Sequence, residues 1–221
     1  MGGLIPLGDA SRRTRRTAAV TLLIIAVNGF VFLEELAGGN AFVRAWSAIP
    51  VRIVHGHRIV TLFTSMFMHA SWMHIIGNMV FLWAFGPEIE DAMGHGRYLF
   101  FYLFGGLAAM LGQVVANPHS HVPCLGASGA IAAVMGAFIV TYPRDRIRTV
   151  LFPFIFIGIN IPAALLIGFW FLIQLFDFGV VANVQTGGVA YVAHIAGFFF
   201  GALIGPLFRN SRRFDTPRYP Y

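Results

Sequence analysis

Apolar residues fall into six long runs along the chain: Thr17 to Leu33, Met73 to Phe85 continuing to about Glu90, Tyr98–Val115, Ser128–Tyr142, Val150–Phe176 and Val189–Phe208. A helix needs about 20 apolar residues to cross the hydrocarbon layer, so the pattern predicts six transmembrane helices. Arg12, Arg13, Arg15 and Arg16 precede the first run, as in a signal peptide. That run is longer than the usual signal core of about 7–15 residues and more spans follow, so it is taken as a retained helix. Between the first two runs, Glu34 to His69 is polar but keeps Ile53, Ile59, Val60, Leu62, Phe63 and Met66. It is too long for a turn and too apolar for a free loop, which predicts a structured insert lying in the interface.

Composition agrees with lipid as the solvent. Of 221 residues 57% are hydrophobic and 11% charged, against about 25% charged in soluble domains. A soluble enzyme, a nucleic-acid-binding domain and a disordered regulator are excluded. The net charge of +6 comes from arginine alone. With the N-terminus inside, 12 arginines fall on the inner side and three (Arg44, Arg52, Arg58) outside. This asymmetry places both termini in the cytoplasm of a multi-pass protein of the cell (inner) membrane. Cys124 is the lone cysteine, so no internal disulfide forms. The predicted organisation is a cytoplasmic segment 1–16, one membrane domain 17–208 and a cytoplasmic tail 209–221.

Polar side chains inside spans are costly unless they are paired or functional. Ser128 lies in Gly126-Ala127-Ser128-Gly129-Ala130 at the start of the fourth run, and His194 lies inside the sixth. Alone, a serine between glycines suits a helix N-terminus with close packing. A mid-span histidine needs a partner, however, and imidazole is the usual base for a serine nucleophile. Ala190, His194, Gly197, Gly201 and Gly205 share one face of the sixth helix. Gly129, Ala132, Ala133, Gly136 and Ala137 form a similar face on the fourth. Small faces let helices approach closely. His74 and Asn78, four residues apart on one face of the second helix, are candidate oxyanion donors, with interhelical hydrogen bonding as the alternative. Asn28, Gln113 and Gln174 are expected to be interhelical hydrogen-bond partners.

The pattern His69-x4-His74-x3-Asn78, Gly126-Ala127-Ser128-Gly129 and Ala193-His194-x2-Gly197-x3-Gly201 resembles the rhomboid intramembrane serine proteases. Ile5-Pro6-Leu7, Glu90-x3-Gly94, Pro162-Ala163 and Trp170-Phe171 extend the likeness over nearly the whole chain. The resemblance implies an all-α membrane protein, a six-transmembrane-helix rhomboid-like bundle with a membrane-embedded loop between helices 1 and 2. Ser128 would be the nucleophile and His194 the general base and acid, with His74 and Asn78 lining the oxyanion site. Arg58 would match the loop's usual arginine, and the fifth helix with the loop near 177–188 would form a gate. Substrates would be single-pass transmembrane proteins in the lipid bilayer, with no metal or organic cofactor and no nucleic acid. Two positions depart from the family: Ala132 stands where an aromatic often packs on the imidazole, and His57 where tryptophan often precedes Arg58. Loosening of the imidazole is the expected consequence of the first.

Other chemistries fit less well. His69 and His74 are five apart with no glutamate between them, unlike a metalloprotease helix. An aspartyl mechanism needs two facing carboxylates, and Asp177 at a helix end offers one. Cys124 has no imidazole near it in sequence, and no internal repeat suggests a transporter. Two alternatives stay open: a catalytically inactive rhomboid-like protein that binds transmembrane clients, and acyl transfer to lipid.

Overall fold

The computed structural model describes residues 3–11, 14–152, 155–181 and 191–208. Six long helices form the bundle: α1 (Ala19–Trp46), α4 (Trp72–Met93), α5 (His95–Ala116), α6 (Ser128–Thr141), α7 (Ala163–Val181) and α8 (Tyr191–Phe208). Two short helices, α2 (Pro50–Val54) and α3 (Thr61–Thr64), and a 3-10 turn at Ser65–Phe67 lie between α1 and α4. Three of the described helices, α1, α5 and α8, are long and apolar enough to cross a membrane by length and composition. Two shorter apolar helices occur at Ser128–Thr141 and Ala163–Phe176.

Helix α6 is the axis. Gly129 through Phe138 are all buried, as an all-apolar helix at the centre of a bundle must be. Its small face meets α8 so tightly that a Cβ at Gly197 would run into the Gly129 carbonyl, and one at Gly201 into the Ala133 backbone. On the other side a Cβ at Gly105 of α5 would come within 2.6 Å of the Ala133 Cβ. Around this packed centre the outer faces carry Phe30, Met73, Phe100, Val115, Leu203 and Leu207, each more than half exposed. Apolar surface on that scale requires lipid.

The first helix runs on to Trp46, well past the expected end at Leu33, through a kink at Gly39 (φ 56°, ψ −145°). The charges that suggested an end are accommodated: Glu35 is buried and accepts the His69 backbone N–H at 2.8 Å. The structured part of the insert therefore begins after Trp46. It is tied down by Thr64 Oγ1 donating to the Trp46 carbonyl (2.7 Å) and by Arg58 donating to the Ala45 carbonyl (3.1 Å). A two-way backbone bridge between Ala48 and Cys124 (3.0 and 2.7 Å) joins it to the loop before α6.

Beyond the expected helices the chain builds a three-stranded antiparallel sheet, β1 (Gly3–Asp9), β2 (Arg146–Phe152) and β3 (Ile155–Pro162), in that order. The fifth run thus divides, and its helix starts at Ala163 instead of Val150. The N-terminal segment packs as a strand along α4. At this end of the bundle Glu90 of α4 accepts the backbone N–H groups of Val20 (2.9 Å) and Thr21 (2.8 Å) and the Thr21 hydroxyl (2.7 Å). Arg15 N–H reaches Asp91 (3.2 Å) and Arg146 N–H reaches the Ser11 hydroxyl (2.8 Å). These bonds gather the segments around Arg15, Arg97 and Arg146 at one end. The C-terminal tail 209–221 and the loop 182–190 lie outside the described residues.

Candidate active site

At the opposite end, Ser128 is the first residue of α6. Among the described residues no side chain caps that helix, so the hydroxyl is not spent on a cap. His194, 66 residues later on α8, holds its Nε2 2.7 Å from the Ser128 Oγ. The sequence-predicted pair therefore meets, and the reason is the α6–α8 packing: the Gly197 that touches Gly129 is one turn beyond His194, and Gly129 adjoins Ser128.

Gly126 shapes the approach. Its φ of 132° is one that side-chain-bearing residues rarely adopt, and its N–H donates to the Ser65 carbonyl at 2.9 Å. A Cβ there would meet His74 Nε2 at 3.0 Å and Ser128 Oγ at 3.5 Å, so imidazole and hydroxyl converge on the space that the glycine leaves open. His74 sits in the first turn of α4, which Ser71 caps by accepting the His74 N–H at 3.2 Å. Asn78, one turn along, is buried, and its Nδ2 makes no hydrogen bond among the described residues. His69 packs edge-on against His74 with ring centroids 5.1 Å apart. Beside Ser128 a small, mostly apolar hollow is lined by Met66, Gly106, Met110, Leu125 and Ala193.

The imidazole has three contacts the sequence did not assign to it, one of them Tyr191 of its own helix, edge-on with ring centroids 6.5 Å apart. Gln174 of α7 places its Oε1 2.6 Å from His194 Nδ1. Trp170, one turn earlier on α7, lies over the ring with centroids 5.8 Å apart and planes at 40°. Ala132 is fully buried, and aromatic contacts to the ring come from Trp170 of α7 and Tyr191 of α8 instead. Of the other spanning amides, Asn28 donates to the Ile24 carbonyl of its own helix (2.7 Å), and Gln113 Oε1 is buried without a partner among the described residues. The expected interhelical bond is therefore made by Gln174, but the sequence did not identify His194 as its partner.

Cys124 is no rival nucleophile. Burial pushes its thiol up to about 11, which leaves about one thiolate in several thousand at pH 7.5. Maleimide modification of the folded protein at that pH is expected to run more than about 100-fold slower than for a free cysteine. Fast, complete modification of native protein would contradict the buried thiol. Among the described residues no three histidine, cysteine or acidic side chains converge as a metal site.

A half-buried serine hydroxyl held against a buried imidazole inside an apolar helical bundle defines a class, a membrane-embedded protein with a serine–imidazole pair among its helices. The sequence comparisons are more specific. A family model described as the rhomboid domain matches residues 56–211, and the chain belongs to the rhomboid family. It is 30% identical over 194 residues to rhomboid protease GluP of Bacillus subtilis (strain 168), covering 84% of this chain and 34% of that protein. To mitochondrial rhomboid protein 1 of Saccharomyces cerevisiae it is 28% identical, over 66% of this chain and 41% of that one. To rhomboid protease GlpG of Photorhabdus laumondii it is 28% identical, over 92% of this chain and 66% of that one. The chain thus spans between about a third and two thirds of the length of these curated relatives.

Proposed function

We propose that the protein is an intramembrane serine endopeptidase that cuts peptide bonds in or near the transmembrane segments of single-pass membrane proteins. The observation that carries this reading is the 2.7 Å contact between Ser128 Oγ and His194 Nε2. Its relatives named as rhomboid proteases support it.

In the mechanism Nε2 takes the hydroxyl proton as Oγ attacks the scissile carbonyl carbon. The tetrahedral oxyanion is held by the Ser128 backbone N–H at the positive end of α6 and by donors from His74 and Asn78. Collapse breaks the C–N bond, and the imidazolium hands its proton to the leaving amine. Water, deprotonated by the same imidazole, then releases the acyl group and restores the serine. The hollow beside Ser128 suits a small side chain next to the cut bond. The arginine asymmetry supports cytoplasmic termini in the cell membrane, with the site toward the outer face.

Labelling with a fluorophosphonate probe in detergent tests the reading. Wild-type protein is expected to label, and Ser128→Ala and His194→Ala to stay dark. A folded wild type that does not label would overturn the reading in favour of an inactive, client-binding relative. Asn78→Ala is expected to lower kcat about 10²-fold, the usual worth of one oxyanion donor. An unchanged kcat removes Asn78 from that role.

A further inference from the structure

We propose that Gln174 is a positioning residue: its side-chain oxygen holds His194 in the tautomer that can act as a base toward Ser128. The proposal rests on the serine-protease reading for its consequence, and on the geometry of the His194 ring for its substance.

A neutral imidazole carries one N–H, and the partner of each ring nitrogen decides where it sits. Here both nitrogens are engaged. Nδ1 lies 2.6 Å from Gln174 Oε1, and Nε2 lies 2.7 Å from Ser128 Oγ. With a side-chain oxygen as its partner, Nδ1 must donate, so the hydrogen sits on Nδ1 and the Nε2 lone pair faces the serine hydroxyl. The opposite tautomer would set an N–H against the hydroxyl and a lone pair against the Gln174 oxygen, leaving the imidazole unable to take the serine proton. Gln174 and His194 are each 7% exposed, so water competes little for either bond.

An amide also suits the place. A carboxylate at this depth would need its own charge desolvated before any proton moved, whereas an amide oxygen offers an acceptor without that cost. When Nε2 takes the serine proton the ring becomes cationic, and the Nδ1–H bond to Gln174 becomes charge-assisted and stronger. The contact thus favours the protonated state reached during turnover more than the resting one. Trp170, on the same face of α7 and over the same ring, restricts the rotation that would carry Nδ1 away from Gln174. Both restraints come from α7, so the orientation of the base depends on the seating of that helix.

The test compares wild type with Gln174→Met, which keeps the length and removes the strong acceptor, and Gln174→Glu, which keeps an acceptor and adds charge. Protein labelled with 15N-histidine in detergent micelles reports the tautomer without any substrate, and His194→Asn identifies the His194 signals. Wild type is expected to show His194 protonated on Nδ1, and Gln174→Met to lose that preference. With a cleavable transmembrane substrate, Gln174→Met is expected to lower kcat about 10–100-fold with KM within about twofold. Gln174→Glu is expected to recover part of that loss and to move the acidic limb of the kcat–pH profile upward by about one unit, because a carboxylate favours the imidazolium. An unchanged tautomer in Gln174→Met, a changed tautomer with unchanged kcat, or an unmoved profile in Gln174→Glu each overturns the proposal. Should the methionine variant fail to fold, the glutamate profile decides. A wild type that shows the Nδ1 proton yet cuts no substrate supports the tautomer assignment and overturns the proposed activity, which keeps the two failures apart.

Discussion

Ser128→Ala, His194→Ala and the double variant are expected to fall to the same residual turnover, about 10⁴-fold or more below wild type. The reason lies in the single hydrogen bond that joins them, 2.7 Å between Oγ and Nε2. A serine hydroxyl without a base is a poor nucleophile, and an imidazole without the serine has nothing to activate. Removing either therefore removes the covalent step as a whole, and removing the second costs nothing more. Residues that act independently would instead multiply their losses. The measurement is kcat/KM for cleavage of a transmembrane substrate in detergent or liposomes, with all three variants checked for wild-type elution on gel filtration. A double variant clearly slower than both singles would show that each contributes through a separate route. Turnover near wild type in Ser128→Ala would remove the mechanism altogether.

Much of this arrangement is legible in the chain because a bilayer leaves few options. Spanning segments must be apolar and helical, so the positions of the six helices follow from the apolar runs. Ser128 and His194 stand out because hydroxyl and imidazole are rare and expensive at that depth. The glycine and alanine faces then say which helices meet. What hydropathy concealed was anything apolar that was not a helix. Ile155, Ile157, Ile159 and Ile161 recur at every second position, the period of a strand, yet they sit inside a longer apolar run that hydropathy alone reads as one span. The end of α1 was concealed by the opposite effect. Glu34 and Glu35 resemble a membrane boundary, but Glu35 is held by the His69 backbone and the helix continues to Trp46. Gln174 belongs to a third kind: sequence places it on a helix face, and only the rotation of α7 about its axis decides that this face looks at His194.

The close approach of α6 and α8 makes a second large effect, reached without touching a polar atom. Gly201→Val is expected to leave no measurable turnover and little folded protein. Gly197→Ala is expected to stay folded but lose about 10²-fold in kcat. At Gly201 a side chain would enter the Ala133 backbone, and at Gly197 it would enter the Gly129 carbonyl. Neither obstacle is the far end of a flexible side chain able to rotate aside, so the helices must separate. Overpacking of this kind costs about 1–3 kcal/mol. Separation by about 1 Å at Gly129 moves Ser128, the adjoining residue, by a similar amount away from His194, and a displacement of that size is enough to cost about 10²-fold. Gly29→Ala is the matched control. Among the described residues nothing lies within 4 Å of a Cβ at Gly29 in α1, and alanine in a helix interior is favoured over glycine by about 0.5–1 kcal/mol, so that variant should hold or gain stability with turnover intact. Thermal unfolding midpoints and kcat for the three variants decide the matter. If Gly197→Ala kept both at wild-type values, the α6–α8 contact would not be what sets the serine–imidazole distance.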